Sequence, residues 1–578
     1  MKLIFRYIKP YKLKMLFIFI TKFLGTIMDL LLPWILAHII DDVVPLNSVN
    51  LVLRWGIAMI ICAIIGVLTN VVANRMASKV AMLSARELRY NLFEKVNLLS
   101  CKQLDDMSIP SIISRLTSDT YTIHNYIGMM QRLGTRAPIL LIGGIVMTLT
   151  LEPKLAVVLI ALLPFMGIVI YKVTKTGVPL FAVARKSVDN LVSSVRENIT
   201  GVRIIKALSK TEYEKERFDK INKQLIEKEQ KAENTMAITN PTMNWFLNIG
   251  MTAVILVGAF LVNSGTSQAG KIIAFMSYFT IILNAMMSVT RIFVRSSKAI
   301  ASADRLDEIL NLPQDLTVSN VVDYKDNDCH IEFDDVSFSY HKKEAHIKNI
   351  SFKLKKGETL GIIGGTGSGK TTIINLLMRL YDVDKGAVRI NGRNVKTIPA
   401  QELHQMFGVV FQDDVIFADT IKENIDFGRI LDEKDIEISS EYSQAIEFVD
   451  SLPDGFDHKL TIKGANLSGG QKQRVLISRA LAGSPEILIL DDSSSALDYK
   501  TDSLLRKNLK ENFGETTSVI IAQRISSIMN SEHILVLHEG EILGYGTHQE
   551  LLKNCEMYRE ISLSQMGDKT SEEGEQDE

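Results

Sequence analysis

Six apolar stretches crowd the first half of the chain, at about 15–40, 52–76, 133–151, 155–174, 245–265 and 271–293. Each approaches the roughly 20 residues that the hydrocarbon core of a bilayer demands of a helix. They fall into pairs joined by short connections such as Asp41–Val49, Glu152–Lys154 and Asn263–Gly270, whereas the two other connections run for roughly 50 residues or more. Soluble cores rarely gather six such runs in one region, so the pattern predicts an all-α, six-helix membrane domain over residues 1–312. Lys2, Arg6, Lys9, Lys12 and Lys14 precede the first run. That excess of basic residues predicts a cytoplasmic N-terminus, and the length of the apolar stretch predicts a first membrane helix rather than a cleaved leader. The long connections keep a helical pattern, and about 25 extra helical residues reach roughly 37 Å beyond the membrane.

Charge takes over after the last run. The whole chain is nevertheless close to neutral, with a formal charge of −1, so no basic field points to nucleic acid. Cys62, Cys101, Cys329 and Cys555 are scattered without metal-ligand spacing, which argues against both a zinc site and a disulfide framework. Inside the spans, Asp29 and Asn284 are costly facing lipid, so they either line a cavity or bond between helices. Met286 and Met287 beside Asn284 suit an adaptable binding surface, or serve as filler.

A charged linker at 313–328 leads to residues 329–565, where alternating and buried-strand patterns such as HIEFDDVSFSY and EILILDD alternate with helical ones. This is an α/β domain. Residues 566–578 form an acidic tail whose composition predicts disorder. The strand TLGIIG runs into Gly364, Gly365, Thr366, Gly367, Ser368, Gly369, Lys370 and Thr371, followed by Thr372 and a helical run. That is a P-loop in its required strand–loop–helix context. Glycines let backbone N–H groups wrap a phosphate at a helix N-terminus, the lysine neutralises phosphate oxygens, and Thr371 is placed to coordinate Mg²⁺.

Further along stand Leu467, Ser468, Gly469, Gly470 and Gln471, then a helix, then a strand ending in Asp491 and Asp492. LSGGQ between a P-loop and such a strand resembles the ATP-binding-cassette (ABC) superfamily, and across residues 329 to about 565 the chain is similar to its ATPase domain. The membrane half agrees by topology. The resemblance implies a multidrug-type exporter half-transporter that binds ATP and Mg²⁺. It implies that Tyr340 stacks on adenine, that Gln412 approaches Mg²⁺ and the attacking water, and that Asp491 holds the metal through water. Ser468, Gly469, Gly470 and Gln471 would meet ATP on the partner's P-loop, and Asp498 would contact the opposite domain. The segments 114–120 and 197–208 resemble the family's coupling segments toward the ATPase domain.

Two positions depart from the pattern. Asp492 stands where active members carry a glutamate, and Gln523 stands where they carry a histidine. Aspartate is one methylene shorter, and an amide cannot become cationic. Ile462 also replaces an acidic residue usual before the signature. With LSGGQ intact, these changes imply a heterodimer in which this chain's P-loop forms the slow site and its signature completes the partner's active one. Export of small amphipathic drugs or lipids across a bacterial cell membrane is the expectation. A peptide exporter and a homodimeric ATP-gated regulator or channel remain alternatives, and an importer is disfavoured by the fused ATPase domain.

Overall fold

The computed structural model describes all residues except 320–322, 326–327, 341–344, 494–495 and 567–578, so the acidic tail from Gly567 onward lies outside the described residues. The chain divides into two compact units, one comprising Met1–Leu98 and Ser108–Leu312, the other Leu99–Met107 and Pro313–Glu578.

In the first unit, six helical runs are long and apolar enough to cross a membrane: Lys2–Leu46, Val49–Asn97, Ile109–Leu151, Pro153–Thr200, Thr211–Asn263 and Ala269–Leu310. They are numbered here as the first to sixth membrane helices. Ile57, Ile60, Ile61, Ile64, Val67 and Leu68 of the second are all exposed. An apolar face of that size is stable only in lipid, because the helix satisfies its own backbone and leaves greasy side chains outward. The packed interior gathers Leu155, Leu159, Phe275 and Phe279, all buried. Asp41 fastens one end of the bundle, its carboxylate accepting from the N–H groups of Gly270 at 2.6 Å and Lys271 at 2.8 Å. A negative charge there answers the unpaired N–H groups that open the sixth helix.

The segment 114–120 contains a π-helical turn at Arg115–Asp119 and packs within the first unit. Buried Asp119 accepts from Arg305 Nε at 2.8 Å and Ser302 Oγ at 2.9 Å, both on the sixth helix. The stretch 99–107, whose sequence carries no recognised motif, belongs to the second unit. Tyr381 donates to Asp105 at 2.5 Å, and Ser100 Oγ donates to Asp315 at 2.7 Å. Burial and the Asp105 carboxylate both push the Tyr381 phenol above its ordinary range.

The second unit holds two sheets. One is antiparallel in the order β2-β1-β4-β5, from Ile331–Phe338 (β1), Ile347–Leu354 (β2), Lys385–Ile390 (β4) and Arg393–Asn394 (β5). The linker joins it, Tyr324 bridging to Arg393. The other sheet runs β10-β9-β3-β8-β7-β6, from Thr359–Gly364 (β3), Phe407–Val410 (β6), Ile487–Asp491 (β7), Thr517–Ile521 (β8), His533–His538 (β9) and Glu541–Gly546 (β10). Strands β6, β7, β8, β3 and β9 are parallel, and β10 turns back antiparallel at the edge. Chain segments leaving the parallel strands therefore emerge along one edge, where ligands of open α/β sheets bind.

Removing the partner of buried Asp119 tests the first unit's packing. Arg305→Ala should destabilise the protein by about 2 kcal/mol, less than the 3–5 of a fully buried pair because the arginine is half exposed. Thermal unfolding in detergent measures it, and adding Asp119→Asn should recover part of the loss.

Candidate functional site

β3 delivers its chain into the loop Gly364–Gly369, and the helix Lys370–Leu377 starts at once. Gly367 and Gly369 adopt φ of +79° and +100°, a region that L side chains rarely enter, so the loop's curl depends on glycine. A Cβ on Gly365 or Gly367 would meet nothing within 4 Å, so the concave side of the loop is open. Lys370 Nζ donates to the carbonyls of Gly364 at 2.9 Å and Gly365 at 2.8 Å, folding back over the loop. Ser368 Oγ is buried without a partner. Open space, a lysine and an orphaned hydroxyl fit a polyphosphate.

The metal-binding candidates lie beside it. Thr371 Oγ1 donates to Asp491 Oδ2 at 3.0 Å. Burial raises the Asp491 carboxyl above its usual range, opposed by the Thr371 hydrogen bond, and Asp492 and Asp413 push it the same way as burial. Burial lowers the Lys370 ammonium, against the attraction of Asp491 and Asp492. A hydroxyl and an electron-rich carboxylate cluster are the donor set that suits Mg²⁺, which usually takes one or two carboxylates, a phosphate and water. Gln412 stands exposed in the turn directly after β6, on the same edge of the sheet.

Strand order explains how Gln523 reaches Asp492. β8 lies between β3 and β7, and Asp491 is in register with Ile521, two residues before Gln523. Gln523 Nε2 donates to Asp492 Oδ2 at 2.7 Å. Asp492 sits at φ +51° and its backbone N–H bonds the Ile521 carbonyl at 3.0 Å. Burial raises the Asp492 carboxyl, while the Gln523 amide, Lys370 and Arg524 pull the other way. Gln565 of the last helix holds the strand exit, donating to Gln523 O and accepting from Ile525 N, both at 2.8 Å. Gln565 is not visible from the sequence, because a glutamine on an amphipathic helix carries no motif.

Tyr340 is half-buried beside the P-loop helix, its hydroxyl 3.4 Å from Thr372 Oγ1 and 3.2 Å from Asn375 Nδ2. Phe338, His346 and Tyr381 meet its ring edge to face. The neighbouring residues 341–344 lie outside the described residues. Ser468 caps the helix Gly469–Leu481, and Gln471 closes the reciprocal bond with its side chain, so in this structure Gln471 serves the cap. A Cβ on Gly470 would stand 3.2 Å from the Ala496 carbonyl, and one on Gly469 3.8 Å from Ala496 Cβ. Asp498 caps the helix Tyr499–Asn512, accepting from the N–H and hydroxyl of Thr501, and those bonds hold its carboxyl below the usual range. Ile462 stands 77% exposed just before the signature.

Comparison with known proteins agrees with this geometry. The model of the ABC transporter transmembrane region matches residues 15–286, and that of the ABC transporter family matches 347–495. The chain is 34% identical to the ABC transporter ATP-binding protein YfiB of Bacillus subtilis, over 98% of this chain and 99% of that one. It is 30% identical to YknU of the same organism, over 96% and 95%. A solved bacterial Atm1-family ABC exporter with ATP bound superimposes with a TM-score of 0.82 at 22% identity, covering 96% of this chain and 99% of that one. Six apolar helices, a P-loop, a signature helix and full-length similarity thus converge, and the chain belongs to the ABC transporter family as a multi-pass membrane protein with one transmembrane region and one ATPase domain.

Proposed function

We propose that this chain is one half of a heterodimeric ABC exporter, and that its own P-loop forms the slow ATP site. The observation that carries this reading is the hydrogen bond from Gln523 to Asp492. A catalytic carboxylate must present an oxygen to the attacking water, and here one oxygen is engaged by an amide that stands where a histidine would contact the γ-phosphate. The side chain is also a methylene short, and a displacement of about 1 Å costs on the order of a hundredfold. Binding needs neither group. Lys370, the glycine loop and Tyr340 would hold ATP, and Thr371, Asp491 and Gln412 would hold Mg²⁺, whose charge offsets that of the phosphates when bound.

The intact signature has a different task. Ser468 and Gly470 would close over ATP on the partner's P-loop, with Asp498 in the loop beside them, so turnover at that site depends on this chain. Domain closure would turn the cavity outward, and hydrolysis at the partner's site would reset it. The basic residues before the first span support a cytoplasmic N-terminus in a bacterial cell membrane. Amphipathic molecules suit a cavity in contact with lipid.

Three measurements test the division of labour. Lys370→Ala should remove one of two ATP-binding events in the assembled pair and leave measurable turnover; an unchanged stoichiometry of bound nucleotide would refute the assignment. The chain alone should hydrolyse ATP slowly, and Asp492→Glu with Gln523→His should raise the rate more than either change singly, since both groups act at one phosphate. Turnover by the wild-type chain alone as fast as that of the pair favours a homodimer instead. Ser468→Arg should abolish most ATPase activity of the pair. If the matching change in the partner's signature does more damage, the competent site lies on this chain.

A further inference from the structure

The first membrane unit brings several charged side chains of two helices close together, one of them buried. Lys22 and Asp29 are seven residues apart on the first helix, and Arg132 and Arg136 are four apart on the third, so each pair shares one helix face. Arg136 Nη2 donates to Asp29 Oδ2 at 2.9 Å, while its Nε is buried without a partner. Lys22 is 97% buried, donates to Asn74 Oδ1 at 2.9 Å, and has Arg136, Asp29 and Arg132 as its charged neighbours. Arg136 alone pairs with Asp29, while Lys22 and the exposed Arg132 stand on the same two helices toward their N-terminal ends.

Beside them opens a cleft of about 310 Å³, walled by Asp29 and Arg136 together with Leu140, Ile281, Asn284 and Ser288. Asp29 thus lines a cavity and also pairs with Arg136 across the helices, so both roles that the sequence left open apply to it. Arg136 is 15 residues before Leu151 and Asn284 is 15 after Ala269, so both lie about 22 Å from the same end of the bundle. Arg291 adds a further cation at the rim, donating to Ser288 at 3.1 Å. A guanidinium nitrogen buried without a partner at that depth, as Arg136 Nε is, is costly in a bilayer and is retained where something offsets it.

We propose that this cleft binds the anionic head of an amphipathic molecule, a carboxylate or phosphate, which supplies the missing counter-charge. Arg136 makes the contact through donors that Asp29 leaves free, Lys22 and Arg132 set the positive field behind it, and Asn284 and Ser288 add neutral hydrogen bonds. Leu140 and Ile281 take the start of the tail. Asp29 competes with the ligand for Arg136, which keeps the arginine placed when the cleft is empty and weakens binding enough for release. The inference deepens the export reading by giving the cargo a charge.

Binding without nucleotide separates this proposal from the ATPase assignment. The full-length protein is placed in phosphatidylcholine nanodiscs and titrated with cis-parinaric acid, a fluorescent carboxylate, by energy transfer from tryptophan; Trp34 lies five residues from Asp29. Saturable binding should be displaced by dodecyl phosphate and not by dodecyltrimethylammonium. Arg136→Gln should weaken it about tenfold, the worth of one charged hydrogen bond, and Lys22→Gln, which removes only charge behind the cleft, should weaken it less. Asp29→Asn should strengthen it, an opposite sign that a folding defect cannot produce. Competition by added phosphatidylglycerol would identify a lipid headgroup as the natural source, and its absence a free anion. Equal displacement by the cationic detergent, or unchanged affinity in Arg136→Gln and Asp29→Asn, overturns the proposal.

Discussion

Strand order in the parallel sheet is the constraint on which the nucleotide site depends. β8 is inserted between β3, which launches the P-loop, and β7, which ends in Asp491 and Asp492. Segments 120 and more residues apart in sequence therefore meet along one edge, within reach of a single phosphate group. The Thr371–Asp491 contact closes one side of this junction and the Gln523–Asp492 contact the other. Neither requires a flexible loop to fold over it, since both partners in each pair are set by strand ends or by the first turn of a helix.

The same sheet accounts for the electrostatics. Asp491 is buried at a strand end and carries a raised carboxyl, and Lys370 is held close by with a lowered ammonium. Each is strained alone and relieved by the other, or by a metal and a phosphate. A group so arranged is ready to exchange protein partners for a ligand at little reorganisation, as an ATP site requires. Asp492 differs from Asp491 in being tied to an amide, so two adjacent carboxylates of one chemical type stand in different surroundings.

The membrane unit follows a second logic. Its outward face is apolar because lipid is its solvent, and some of its charged groups pair within the bundle, as Asp41 does over the start of the sixth helix and Asp29 against Arg136. The segment 99–107 obeys neither pattern. It is a short polar stretch that folds with the ATPase unit, through Tyr381 and Asp315, although it lies between two helices of the membrane unit in sequence.

Much of the protein was legible in the chain. Helix spans follow from apolar run length, and the P-loop and signature are local motifs whose residues touch in sequence order, so glycine curl, helix cap and strand end are all written within a few residues of one another. The unusual Asp492 and Gln523 are visible as identities, yet only the tertiary structure joins them, because their hydrogen bond depends on β8 lying next to β7. The stretch 99–107 was not legible for the same reason: a short polar helix carries no local sign of the unit with which it packs. The charged cleft shows the limit most clearly. Sequence marked Asp29 and Asn284 as costly in lipid, but nothing in it joined them to Arg136, and which helix faces meet is set by packing between segments about 100 to 250 residues apart, which no local pattern records.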